Sequence, residues 1–185
     1  MQRSIQYPEP EDFITAIAKP FDSEAVTKVV APFGLTWSKA VKLDRNLAIF
    51  DLSAPAFGVD FHFKDQALVD ENDGHSVGEG PNLLTSCACW GYEDSIETYG
   101  GPLWKGLRFS DTKADAIAKL GEPDRVGRYD IHRWIFADFE LSIHWNNPDK
   151  IRVISYWMKS AQAAGRLAYP GDGQPFEAAP PRRTV

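Results

Sequence analysis

The chain has 185 residues, 43% of them hydrophobic and 12% aromatic, which excludes wholesale disorder and fits one medium domain or two small ones. Twenty basic against 26 acidic residues give a net charge of −6, which disfavours a general nucleic-acid binder, since that needs a basic face to displace phosphate counterions. A basic protein partner fits this balance. The opening MQRSIQYPEPED has neither the apolar run of a signal peptide nor a lipid-bearing cysteine. No window approaches the roughly 20 apolar residues that span a bilayer. The expectation is a cytoplasmic protein that engages no membrane.

Pro8 and Pro10 make residues 1–12 an extended lead-in. Glu11 or Asp12 opens a helix to about Ala18, with Phe13, Ile14 and Ile17 at helical spacing and Pro20 closing it. Asp22 or Ser23 caps a second helix over 24–31, which buries Val26, Val29 and Val30 and stops at Pro32 and Gly34. Residues 47–52 and 57–64 read as strands, 67–69 begin a third, and Asp70-Glu71-Asn72-Asp73-Gly74 is an acidic turn.

The second half follows the same order. Ser110 or Asp111 caps a helix over 112–120, with Ala116, Ile117 and Leu120 as its apolar positions, and Gly121 and Pro123 end it. Strands follow at 132–136, 139–145 and 151–157, the first two joined by a tight hairpin at Ala137-Asp138. The halves align by position. Phe57-Gly58-Val59-Asp60-Phe61-His62-Phe63 matches Phe139-Glu140-Leu141-Ser142-Ile143-His144-Trp145 at a constant offset of 82. Alternation puts Phe57, Val59, Phe61 and Phe63 on one strand face with their counterparts, and the identical His62 and His144 on the other. One inserted residue then aligns Leu68 with Ile151.

These patterns predict an α+β fold of two tandem helix–β3 meander repeats, forming one curved antiparallel sheet with helices on one face. The first unit covers 1–100, the second 101–159, and a Pro/Gly-rich tail covers 160–185. Between the meanders, residues 74–103 are long for a loop. Their Cys87-Ala88-Cys89-Trp90-Gly91-Tyr92 run suits an extra strand, followed by an acidic excursion at 93–97.

Chemistry is thinly signalled. Cys87-x-Cys89 is one residue short of the usual zinc knuckle, and His132 and His144 lie on separate strands, so no metal or cofactor is expected. The two cysteines are too close for an unstrained bridge. Ala88 and Trp90 give Cys89 an apolar setting that raises a thiol's pKa, against a catalytic role. Gly78-Glu79-Gly80-Pro81 lacks the Lys and the helix of a phosphate loop. The aromatic supply is unusual: Trp37, Trp90, Tyr92, Tyr99, Trp104, Trp134, Trp145, Tyr156 and Trp157. Rings beside acidic residues suit a protein-binding surface, with Trp134 and Trp145 better placed in the core.

The stretch Gly101-Pro102-Leu103-Trp104-Lys105-Gly106-Leu107-Arg108-Phe109-Ser110-Asp111-Thr112, continuing to Leu120-Gly121-Glu122-Pro123, resembles a pattern in bacterial toxin-immunity proteins. There a short G-x-L-P-x-G-L-x-F lead enters a capped helix ending L-G-x-P, followed by a β-meander with aromatic strands. Trp104 replaces the usual Pro. The helix-plus-meander unit also resembles small outer-membrane assembly lipoproteins, and two in tandem resemble secreted β-lactamase inhibitor proteins.

That resemblance implies a cytoplasmic immunity protein, not an enzyme, that neutralises a cognate toxin by stoichiometric occlusion. The acidic balance points to a basic toxin, such as a nuclease or deaminase. The expected contact residues are Asp60, His62, Glu140 and His144 on the strand face away from the core. Asp70, Glu71 and Asp73 in the acidic turn join them, with Tyr92, Glu93, Asp94, Glu97 and Tyr99 in the connecting segment. Two other readings remain: a small-ligand or assembly module using a cleft between the repeats, and a hydrolase-like enzyme built on the two histidines and nearby carboxylates.

Overall fold

The computed structural model describes residues 5–35, 48–70, 74–147 and 150–159. It is an α+β fold around one antiparallel sheet of seven strands. Helix α1 (Pro10–Ala16) starts at the proline expected to exclude it. At the first helical position the missing N–H has no intrahelical partner to lose. Asp12 Oδ2 accepts the Glu9 N–H at 3.2 Å, securing that end. The helix stops two residues early because Ala18 turns left-handed, with φ of 62°. The chain then runs beside the sheet: Ala18 N–H donates to Leu84 O at 2.8 Å, and Phe21 N–H to Asn82 O at 2.8 Å. In α2 (Glu24–Val30), Ser23 Oγ accepts the Val26 N–H, and Val26, Val29 and Val30 are buried as the spacing implied.

Strands β1 (Ile49–Ala54), β2 (Val59–Asp65) and β3 (Asn82–Trp90) form the first meander. Between β2 and β3, residues expected to begin a strand form a helical turn instead, α3 (Gln66–Val69). The buried Asp65 carboxylate accepts the N–H groups of Ala67 and Gly78, at 2.9 and 3.1 Å, and turns the chain out of the sheet. The third strand comes from the connecting segment and contains the Cys87–Trp90 run. The alignment of Leu68 with Ile151 therefore fails: Leu68 is exposed on α3, and Ile151 is a buried strand residue.

Helix α4 (Lys113–Leu120) is capped by Thr112 rather than by Ser110 or Asp111. Thr112 and Asp115 exchange side-chain bonds with each other's N–H, because the three-residue spacing of a capping box starts at Thr112. Asp111 instead accepts the Arg108 N–H and pairs with Lys119 at 2.6 Å. Strands β4 (Arg125–Gly127), β5 (Ile131–Ile135), β6 (Phe139–Asn147) and β7 (Lys150–Met158) form the second meander. β4, too short to alternate visibly in sequence, had no counterpart in the reading above. The order across the sheet is β1-β2-β3-β7-β6-β5-β4, so β3 and β7 pair at the seam between meanders.

One sheet face carries the core. Val59, Phe61 and Phe63 oppose Cys89, Cys87 and Leu84; Leu141 and Ile143 oppose Tyr156 and Ile154. All are buried, as are Trp134 and Trp145. Phe13 of α1 packs on Phe61 and stacks on Tyr156, with ring centroids 5.7 Å apart. Trp134 Nε1 donates to Gly121 O at the end of α4, so both halves bring helix against this same face. At the turn before β2, Gly58 has φ of +66°. A Cβ there would lie 2.2 Å from Glu97 O, so only glycine admits the 93–99 loop.

Candidate functional site

The opposite sheet face holds the polar side chains. Register builds its rows across the seam. Ser53 of β1 opposes Asp60, which opposes Ala88; then come Ser155, Ser142 and Arg133. The adjoining row runs Asp51, His62, Ser86, Trp157, Glu140 and Ile135. Beyond the first row lie Trp90, Val153, His144 and Ile131. Asp60, His62, Glu140 and His144, from opposite halves of the chain, thus share one face of one sheet. Alternation along β2 and β6 does this, and sequence phase was enough to find it.

The middle of this face is not open. Small residues form its floor, and the long side chains of Trp90, Trp157, Arg133 and Arg152 lie over them. Trp90 Nε1 donates to Asp60 Oδ2 at 2.6 Å, and Trp157 Nε1 to Ser142 Oγ at 2.8 Å. Each indole carries a guanidinium above its ring: Arg152 over Trp90 at 5.8 Å, Arg133 over Trp157 at 5.6 Å. Glu140, expected to meet a partner, is buried and 3.7 Å from Arg133. Burial, with Arg133 and Arg152 nearby, pushes the His144 imidazole down to about 4, so it is neutral at pH 7.

The β1 end of the face is more exposed and carries mixed charge, Asp51 beside His62 and Lys64. Asp51, which is exposed, is 2.5 Å from Nδ1 of the partly exposed His62. Glu97 N–H donates to Pro55 O at 2.9 Å, which seats the acidic 93–97 loop at the β1–β2 turn. Asp94 and Glu97 are exposed, and so is Tyr92, with Lys150 5.5 Å above its ring. Glu93 differs from its neighbours: it pairs with Arg152 at 2.7 Å and is no freely solvated charge. Tyr99 is not at the surface. It is 3% exposed among Tyr7, Phe13 and Phe33, and burial raises its phenol well above the usual range. The spacing of Tyr92 and Tyr99 gave no sign of this; a Cβ at Gly101 would lie 2.4 Å from the Tyr99 hydroxyl, so the backbone there closes tightly on the ring. Asp70 is exposed beyond α3; Glu71 and Asp73 lie outside the described residues.

Sequence reasoning missed Asp51 and Arg152, whose partners lie 11 and 59 positions away. It also missed the β4–β5 turn, where Tyr129 and Asp130 are both left-handed and Tyr129 is 74% exposed. Asp130 holds that turn by accepting from Lys113 and lying 3.3 Å from His132. Cys87 and Cys89 are buried on the core face, where burial raises the Cys87 thiol. Among the described residues no three His, Cys, Asp or Glu side chains converge to hold a metal ion, and no helix is long and apolar enough to cross a membrane. No family model matches the chain, and neither a curated protein nor a solved structure is significantly similar to it.

Proposed function

We propose that the chain is an immunity protein that binds a cognate basic toxin and neutralises it by occlusion, without chemistry of its own. The observation that carries this reading is a set of exposed carboxylates, Asp51 on β1 and Asp94 and Glu97 in the 93–97 loop, with the exposed Tyr92 in the same connecting segment. Exposed carboxylates beside an aromatic suit a surface whose charges steer a cationic partner and whose ring anchors it. In a nuclease or deaminase, the Lys and Arg that grip phosphate would meet these groups.

The same proposal includes a tandem helix–meander repeat as the architecture. It is supported by matched register: the β2–β3 ladder slips between His62 and Phe63, and the β6–β7 ladder between His144 and Trp145. Those positions differ by the offset of 82 found in the sequence.

The test pairs this protein with the product of the gene immediately upstream. Co-expression should restore growth of cells that this product kills, and the purified proteins should form a 1:1 complex by calorimetry. Neither protection nor binding would remove the proposal. One observation favours the small-ligand reading: an open cavity of about 620 Å³ where Tyr7, Pro8, Phe33 and Phe57 meet the Asp12–Lys28 ion pair. It lies beside α1 and α2, not in a cleft at the β3–β7 seam.

A further inference from the structure

We infer that the outer edge of β1 is a strand-pairing site for an amphipathic, basic β-strand of the partner protein, an inference that rests on the immunity reading above. β1 is the terminal strand of the sheet, and among the described residues no strand pairs with its outer side. The direction of its backbone groups follows from two hydrogen bonds. Asp65 N–H donates to Ala48 O at 2.7 Å, and Trp90 N–H to Gly58 O at 2.8 Å. Bonded and non-bonded pairs alternate along an antiparallel ladder. Phe50, Leu52 and Ala54 therefore bond inward to Phe63, Phe61 and Val59. The N–H and C=O groups of Ile49, Asp51 and Ser53 point outward, and all three residues are exposed.

Edges of this kind are normally blunted by Lys, Pro or a bulge. β1 has no Lys or Pro, and its register against β2 runs without a slip. Its single charge is Asp51. A symmetric pairing of two copies about this strand would bring two Asp51 carboxylates onto one face, and like charges oppose that. A strand with Lys or Arg on that face would instead meet Asp51, with Glu97 beyond the strand's end. Its alternate, apolar side chains would cover the half-buried Leu52 on the other face. The added strand must then be basic on one side and apolar on the other.

The experiment is amide hydrogen exchange on the full chain, alone and with the upstream gene product, joined to affinity measurements on Ser53→Pro and Asp51→Lys. Proline at 53 removes an outward donor and no inward ladder bond. Binding should slow exchange at Ile49, Asp51 and Ser53, and each variant, its melting temperature unchanged, should bind about 100-fold more weakly. Should Ser53→Pro fail to fold, the exchange pattern and Asp51→Lys decide. Binding by the wild-type chain with these amides unprotected overturns the edge assignment and leaves the immunity reading intact. No binding by the wild-type chain retires both. Protection of the same amides in a dimer of this chain alone would replace the basic partner with a second copy.

Discussion

Trp90 and Trp157 occupy corresponding places on either side of the β3–β7 seam. Each stands two residues beyond the paired Ala88 and Ser155, and each returns its indole N–H to the next strand of its own meander. The acceptors, Asp60 and Ser142, flank the Ala88–Ser155 pair in a single row and differ by the offset of 82. The two rings roof the small residues of that row, so the polar face is packed rather than bare.

The indole bonds should be measurable. Asp60→Ala leaves the Trp90 N–H without its charged acceptor and should cost about 1.5–3 kcal/mol, whereas Ser142→Ala, removing a neutral acceptor, should cost about 1 kcal/mol. Urea unfolding gives both values. Equal, negligible losses would mean that neither ring depends on its bond.

The core face gives a second prediction. Ile143 is fully buried against Ile154, and Ile143→Ala should destabilise by about 2–5 kcal/mol through the cavity it leaves. Gly58→Ala should cost at least about 2 kcal/mol for a different reason, the clash with Glu97 O and Tyr99 N together with a positive φ. Chemical denaturation separates the cases: the Gly58 change should also loosen the 93–99 loop, seen as faster amide exchange at Glu97 and Tyr99.

Much of this fold was legible because strands alternate. The phase of 59–63 and 141–145 assigned every buried ring of β2 and β6 to its face, and His62 and His144 to the other. What failed among the elements was decided by single polar contacts that hydrophobic patterning does not register. Asp65 turns 66–69 into a helix where apolar content reads as strand, and Asp12 makes Pro10 a helix start. The candidate site was legible only as a face. Tyr99 is buried by Tyr7, Phe13 and Phe33 and Glu93 is engaged by Arg152, all remote in sequence, while Glu140 is buried beside Arg133 across the β5–β6 hairpin.

Stability should fall on mild acidification. Burial and two arginines hold the folded His144 at about 4, below the ordinary 6.5, and burial lowers His132 in the same direction despite Asp130. Above pH 6.5 both folded and unfolded chains carry neutral imidazoles, so the folded state keeps its full stability. As pH falls from 6.5 towards 4 the unfolded chain binds protons that the folded chain refuses, and stability is lost across that window. The His144 share is at most about 3 kcal/mol. Urea midpoints between pH 7 and 4 should fall more steeply for the wild-type chain than for His144→Gln; parallel curves would place the lost protons elsewhere.

The acidic loop gives the last prediction, and Glu93 must be left out of it. Reversing Glu93 would break its pair with Arg152 and release the guanidinium over Trp90, confounding binding with local structure. Asp94 and Glu97 are exposed, and no ion pair ties either to a described cation. Asp94→Lys with Glu97→Lys should slow association with a basic toxin about tenfold while changing dissociation little, because charges at an interface rim act mainly on encounter. The wild-type on-rate should itself fall as salt rises, since the Debye length shrinks from about 10 Å at 0.1 M to about 3 Å at 1 M. The double variant should lose most of that salt dependence, and Tyr92→Ala should act on dissociation instead. Stopped-flow association across a salt series, beside survival of toxin-expressing cells, reads all three. An on-rate and a degree of protection unchanged in the double variant would show that these carboxylates serve solubility and that the toxin is met elsewhere on the sheet.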